Sequence, residues 1–353
     1  MNATRENEGH STRRDQIYFV SYPGGVSQRL TTDSSRYEFD SLGITREGEI
    51  LAVSGSRSSQ VWAMDPDGDA ASAIQLTKGA SDGRAGLGPL PEDSFGYLAR
   101  NADEISVMVA NSDASEIKQL PTGYQFVEEL RPDPLGRFLV FSVLKDRRSY
   151  LFRINIDGSR VKQLTFGESA IDSTISPDGK FLVYDSDRLE NNVQAFSLLR
   201  IPTEGGEPVT LKPRGCFIPT YSPDGSLLSC IDYEKRGIVI IAAADGAEIE
   251  RHALPVSATW NFGIGWTLDG SGLIYIVTEK GTSNLWVQPR DGSKPRRLTN
   301  FTSGVIYRYA FAPDGSKLFV ARGYPEQDAV LIRNYRYLLL LIINDELSLT
   351  LAW

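Results

Sequence analysis

Residues 163–184 read Gln163-Leu164-Thr165-Phe166-Gly167-Glu168-Ser169-Ala170-Ile171-Asp172-Ser173-Thr174-Ile175-Ser176-Pro177-Asp178-Gly179-Lys180-Phe181-Leu182-Val183-Tyr184. A Leu-Thr ending is followed by a β-rich stretch, a Ser-Pro-Asp-Gly corner and a second apolar run. Pro at the first corner presets φ, and Gly accepts a conformation that a Cβ would forbid. The two flanking runs therefore read as a pair of strands joined by a tight turn.

The same signature recurs along the chain. A Leu, usually followed by Thr, appears at positions 30, 76, 120, 164, 211, 254 and 298, with spacings of 46, 44, 44, 47, 43 and 44. Each is preceded by a tight-turn pair such as Asp157-Gly158, Gly205-Gly206, Asp245-Gly246 or Asp291-Gly292. Further Pro-Asp-Gly corners or degraded copies lie at Pro223–Gly225, Leu268–Gly270, Pro313–Gly315 and Pro134–Gly136. Runs such as Phe181–Tyr184 and Leu273–Val277 are apolar on consecutive residues, as in strands covered on both faces. Each unit reads as four strands, the third often carrying an aromatic (Trp62, Phe152, Phe196, Trp286). One such sheet cannot bury two apolar faces alone, and radial stacking covers every face. The expected fold is all-β, a β-propeller of four-stranded blades.

Seven inner strands begin near Glu38, Gly83, Phe126, Ala170, Phe217, Asn261 and Ile306, so seven blades are expected, with six or eight left open. Strands from both termini are expected to close the ring. Gln16–Ser21 and Ser27–Thr31 would be the third and fourth strands of a blade whose first and second are Ile306–Ala312 and Lys317–Arg322. Asp328–Arg333 reads as a rival third strand. The expected organisation is a polar flexible arm at 1–15, one propeller domain at 16–335 and an atypical apolar tail at 336–353.

Composition excludes several functions. The formal charge is −8, the wrong sign for binding a phosphate backbone, so nucleic acid is not an expected partner. The longest apolar run, Leu338–Ile343, falls far short of the ~20 residues of a spanning helix, so no membrane insertion is expected. No export signal is visible near the start, and the cellular compartment stays open. With two His and two Cys there is no metal-binding cluster, and neither metal nor cofactor is expected. Cys216 and Cys230 flank the turn at Pro223–Gly225. A regular register sets them on a diagonal about 7–8 Å long, which favours two buried thiols over a bridge.

The unit from Gln163 to Arg188 resembles the WD40-like Pro-Asp repeat of the TolB propeller, over about residues 16–335. The endings Arg297-Leu298-Thr299-Asn300-Phe301 and Ala329-Val330-Leu331-Ile332 are similar to propellers appended to bacterial serine/threonine kinases or winged-helix regulators. The resemblance implies a non-enzymatic ligand- or protein-binding module, the sensory or scaffolding part of a larger bacterial regulator. Its partners would be a protein or peptide, or a small ligand at the channel mouth.

The alternative is the gating propeller of a prolyl-oligopeptidase-like peptidase, or a channel-mouth lyase or hydrolase. No Gly-x-Ser-x-Gly elbow is present, and only His252 could serve as a base, in what reads as a solvated turn. Repetition of Ser-Pro-Asp-Gly in blade after blade argues for a structural role. The acids Glu38, Glu168 and Asp172 stand near the expected mouth, where surface solvation accounts for them. The loops leading into the inner strands carry Arg36, Tyr37, Arg84, Tyr124, Arg214, Trp260, Tyr307 and Arg308. Tyr, Trp and Arg bury large area while still hydrogen-bonding. These eight are the candidate binding residues, and no catalytic residue is expected.

Overall fold

The computed structural model describes residues 2–3, 16–31, 37, 41–101, 104–190, 193–212, 214–232, 234–255, 257–259 and 264–333. The expected tail at 336–353 and most of the arm lie outside them, although Asn2–Ala3 pair with Gln16–Ile17. Two compact units are present: one spans residues 58–324, and the other takes in the described residues of 16–57 and 325–333. The single domain expected at 16–335 covers parts of both.

Within 58–324 the strands form six antiparallel sheets in chain order. The first has Ser81–Pro89, Phe95–Arg100, Ile105–Ala110 and Ile117–Gln119, and the second Glu129–Pro132, Phe138–Lys145, Arg148–Asn155 and Lys162–Gln163. The third has Ser169–Ile175, Phe181–Glu190, Val193–Pro202 and Val209–Lys212, and the fourth Phe217–Tyr221, Leu227–Asp232, Gly237–Ala242 and Glu248–Ala253. In the fifth, the inner strand is in two pieces, Ala258–Thr259 and Gly265–Trp266, followed by Gly272–Glu279, Thr282–Pro289 and Arg296–Arg297. The sixth sheet joins Val305–Phe311 and Leu318–Gly323 to Gln60–Met64 and Ile74–Gln75.

Each sheet packs its apolar residues on the next. Leu98 and Leu139 share one core, Leu151 and Leu182 a second, Val183 and Leu228 a third. Ile240 and Leu273 share a fourth, Leu285 and Val320 a fifth, and Phe95 and Phe319 a sixth, which returns to the first blade. Second strands such as Phe138–Lys145 are buried over six consecutive residues, which is why they carry no polar alternation.

This arrangement corrects the expected closure. The third and fourth strands beside Leu318–Gly323 are Gln60–Met64 and Ile74–Gln75, with Val320 opposite Trp62. They are not Gln16–Ser21 and Ser27–Thr31. Six four-stranded blades thus lie within 58–324, in place of the seven expected. Pro325–Ile332 pairs along its full length with Ile50–Arg57 in the other unit, and Gln16–Val20 heads a separate small sheet with Ser27–Arg29. In that unit Ile17, Tyr37 and Ala52 form a buried cluster.

The Pro-Asp-Gly corners have the structural role expected of them. The Asp178 carboxylate accepts from Ser176 Oγ at 2.6 Å and from Lys180 N at 3.1 Å, and Asp224 and Asp269 repeat this with Ser222 and Thr267. Hydroxyl and amide donors on an exposed carboxylate pull all three down to about 2.

The cysteines differ from expectation. A disulfide joins Cys216 to Cys230, with Cα atoms 5.3 Å apart. Phe217 faces Ile231 but Thr220 faces Ser229, so the inner strand holds one extra residue. Such a bulge bends and twists its strand, and shortens the diagonal that a regular ladder would leave too long.

Candidate functional site

The inner strands do not run straight. Register shifts interrupt them between Asp82 and Leu87, Ile171 and Thr174, Phe217 and Thr220, and Ile306 and Arg308. At three of these irregularities the backbone turns left-handed, with φ of 73° at Gly83, 48° at Asp172 and 53° at Ile218. Gly83 has a reason to be Gly, since a Cβ there would come within 2.9 Å of both Ala321 and Val61. A β-branched residue such as Ile218 is a real outlier, and strain of this kind persists only where surrounding structure enforces it.

The enforcing contact at Ile218 is a buried carboxyl. Ile218 N donates to Asp185 Oδ2 at 2.7 Å, and Asp185 has no exposed surface. Its Oδ1 has no hydrogen-bond partner among the described residues. Burial, then the Asp172 charge, push Asp185 well above the ordinary carboxyl range, against the stabilising Ile218 amide. Asp172 is pushed up to about 6 by burial and by Glu129, with Arg131 and Arg308 pulling the other way.

Neighbouring inner strands bring the cations. Arg131 Nη2 lies 3.1 Å from Glu129 Oε1, and Arg131 Nε donates to Ser173 O at 2.6 Å. Glu129 Oε1 also accepts from Ser173 N at 2.7 Å, so this pair clips the second blade to the third. Arg308, from the sixth blade, is lowered to about 10 by burial and by Arg131, opposed by Asp172 and Glu129, with Arg84 adding to the lowering. It remains a cation at neutral pH. Arg84, Arg131, Asp172 and Arg308 are half-buried, still in contact with water although enclosed by protein, as befits side chains lining the space between inner strands. One mixed-charge cluster thus draws on the first, second, third and sixth blades.

Of the eight candidate residues, Arg84 and Arg308 contribute charge to this cluster. Tyr307 is buried, with 6% of its surface exposed, and Tyr37 is a core residue bridging to Ser54, which corrects its reading as a mouth residue. Tyr124 stays partly exposed, its ring 4.9 Å from that of Phe152, beside a shallow concavity of about 270 Å³ lined by Gln119, Thr122 and Gln125. Arg214 is exposed at the surface. Arg36 and Trp260 lie outside the described residues, as does Glu38. Glu168 is exposed and accepts from Ser186 Oγ at 3.0 Å, whereas Asp172 is enclosed and not the solvated surface acid expected. His252 also differs: it is a half-buried strand residue, 3.2 Å from Glu250 Oε2.

Sequence reading passed over Glu129, Arg131 and Asp185. A signal for part of the cluster was present, because Glu129, Asp172, Ile218 and Arg308 each stand five residues before the Pro of their own corner. Three charges at one repeat position inside otherwise apolar strands mark a shared location.

No family model matches the chain. The probable dipeptidyl-peptidase 5 of Aspergillus clavatus is 26% identical over 355 residues, taking in 83% of this chain and 46% of the fungal protein. The chain therefore spans about half the length of that curated relative. The putative TolB from Agrobacterium tumefaciens superposes with a TM-score of 0.58 at 15% identity, covering 77% of this chain and all of that one. A chain of the nidogen/laminin complex gives 0.54 at 12% identity, with 72% and 98% covered. The tricorn protease gives 0.52 at 10% identity, with 91% and 41% covered. Sheet order, corner chemistry and these superpositions agree that the fold of this chain is a TolB-like β-propeller.

Proposed function

We propose that this chain is a non-enzymatic binding propeller that receives a protein or peptide partner on the axis of its 58–324 unit. The observation that carries the reading is the convergence of Arg84, Glu129, Arg131, Asp172 and Arg308 from four blades on one enclosed, water-accessible place. Charges held in such a place interact more strongly than on an open surface, and a single ligand there touches several blades at once. The opposite face, made of Pro-Asp-Gly and Asp-Gly corners, offers small polar groups with little area to bury. Pull-down followed by crosslinking should place contacts near Arg84 and Arg308. Crosslinks confined to the Pro-Asp-Gly corners would sink the proposal.

A second reading has its own support. The match to 46% of a probable dipeptidyl-peptidase, with the tricorn superposition beside it, favours a propeller that accompanies a peptidase domain and meets that domain's substrate. An in-frame hydrolase domain with a nucleophile elbow in the neighbouring coding sequence is the expected finding under this reading. A neighbouring sequence without one removes it.

A further inference from the structure

We propose that a second binding site lies in the cleft between the fifth and sixth blades, and that it takes a small zwitterion with an apolar side chain, an α-amino acid or a short peptide. The site is separate from the axial cluster and does not depend on that reading. The cleft encloses about 400 Å³, at the small end of the roughly 300–1,000 Å³ of ligand sites. It lies between the turn after Gln60–Met64 and the loop joining Arg296–Arg297 to Val305–Phe311. Asn300 ties its two walls together, since its Oδ1 accepts from Ala70 N at 2.6 Å and its Nδ2 donates to Asp69 Oδ1 at 3.3 Å.

The cation of the cleft is Arg322. Its guanidinium carbon stands 4.2 Å from the centre of the Phe301 ring and 5.4 Å from that of Trp62, so the group is held between two aromatic faces. Nη2 donates to Ser303 O at 2.6 Å, whereas Nε is covered and has no hydrogen-bond partner among the described residues. Trp62 Nε1 is in the same condition, so one wall carries two donors without acceptors. A covered donor left unmet is costly, which is why native structures nearly always supply it with a partner. Burial lowers the proton affinity of Arg322, and the group opposing this is the Tyr324 phenol rather than a carboxylate. Among the described residues Arg322 makes no ion pair.

The anion is Asp69, which is exposed. Its Oδ1 accepts from Ala71 N at 3.1 Å and from Asn300, while Oδ2 has no hydrogen bond and the carboxylate no ion pair among the described residues. Arg322 and Asp69 line one cleft without pairing with each other, so a guest with a charge of each sign can meet both. An ammonium suits Asp69, and a carboxylate suits the guanidinium fork, whose charge-assisted bonds are about twice as strong as neutral ones. An α-amino acid or a short peptide carries both charges at neutral pH. A purely anionic guest would be repelled by Asp69, and a purely cationic one by Arg322. Trp62 and the small side chains of Ala70, Ala71 and Ala73 supply the apolar part of the lining, which fits an aliphatic side chain on the guest.

The test is calorimetric titration of the whole chain at neutral pH with L-leucine, leucyl-leucine, leucinamide and N-acetyl-L-leucine. Leucine or leucyl-leucine should bind about tenfold or more tightly than either blocked derivative, as expected for one charge-assisted contact. Whichever of the two binds more tightly separates an amino acid from a peptide as the guest. Arg322→Gln and Asp69→Asn should each weaken that probe about tenfold. Asp69→Asn keeps an oxygen to accept from Ala71 N, so its effect reports the lost charge and not a lost turn. If Arg322→Gln does not fold, Asp69→Asn and the blocked derivatives carry the test. Absence of binding by both zwitterions at millimolar concentration, or unchanged affinity in Asp69→Asn, would overturn the proposal. N-acetyl-leucine or leucinamide binding as tightly as the zwitterions would overturn it too, because a single charge on the guest would then suffice.

Discussion

Asp172 shows how one carboxyl can lower the stability of its own fold. Its pKa in the folded chain is raised to about 6, above the ordinary 3.8, so the folded state holds a proton that the unfolded chain releases first. Stability from this group is therefore fully present below pH 4 and declines as pH rises through 6. A shift of this size corresponds to at most about 3 kcal/mol. Asp178, Asp224 and Asp269 work in the opposite sense, since each is lowered to about 2 and its stabilisation is lost as pH falls from 4 toward 2. Urea midpoints measured from pH 2.5 to 8 should fall at both ends of this range. Asp172→Asn should flatten the decline between pH 4 and 6 and leave the acid limb in place. An unchanged decline in the variant would mean that Asp172 does not carry the burial cost assigned to it.

Strands and turns carry the repeat, but equivalent positions are not equally constrained. Gly246 and Gly292 occupy the same turn between third and fourth strands in successive blades, with φ of 75° and 82°. A Cβ on Gly246 would lie 2.2 Å from the Leu211 carbonyl oxygen, whereas one on Gly292 would meet nothing within 4 Å. Gly292→Ala should cost only the left-handed backbone penalty, about 1–2 kcal/mol. Gly246→Ala must also displace backbone of the neighbouring blade, and should cost well over that. Denaturant titration of the two variants checks the difference, and equal losses would contradict the close approach. The bulged inner strand of the fourth blade makes a second prediction. Reducing the Cys216–Cys230 bridge, which closes a loop of 14 residues, should lower stability by about 3 kcal/mol, read as a drop in melting temperature under reductant.

For the molecule as a whole, the decisive contact is the one that returns the sixth blade to the first. The Phe319 ring lies 5.1 Å from that of Phe95, and both side chains are fully buried. Phe319→Ala should cost about 3–5 kcal/mol, because the cavity it leaves cannot be refilled from two rigid sheets. Urea unfolding of the variant tests this, and a loss below 1 kcal/mol would show that the closing interface contributes little. A single interface matters this much because a ring of blades buries all of its sheet faces only when both ends of the cycle meet.

Local pattern by itself determined the fold class, because the period near 44 residues, the Asp-Gly turns and the Ser-Pro-Asp-Gly corners act within a few residues of where they stand in the chain. Pairing of distant segments was not legible in the same way. Gln16–Val20, Gln60–Met64 and Pro325–Ile332 are all short β-rich runs able to serve as a third strand, and only packing chose among them. Gln60–Met64 joins the sixth blade where Gly323, lacking a Cβ, admits the Ser58 carbonyl to a place a Cβ would occupy at 2.1 Å, and where Val61 and Met64 become buried. The candidate site divides in the same way. Arg84 and Arg308 were visible as residue types at loop ends, and Asp172 as an isolated acid. Their meeting with Glu129, Arg131 and Asp185 depends on blades far apart in sequence converging on one axis. There, enclosure turns a solvated charge into one whose proton affinity its neighbours control.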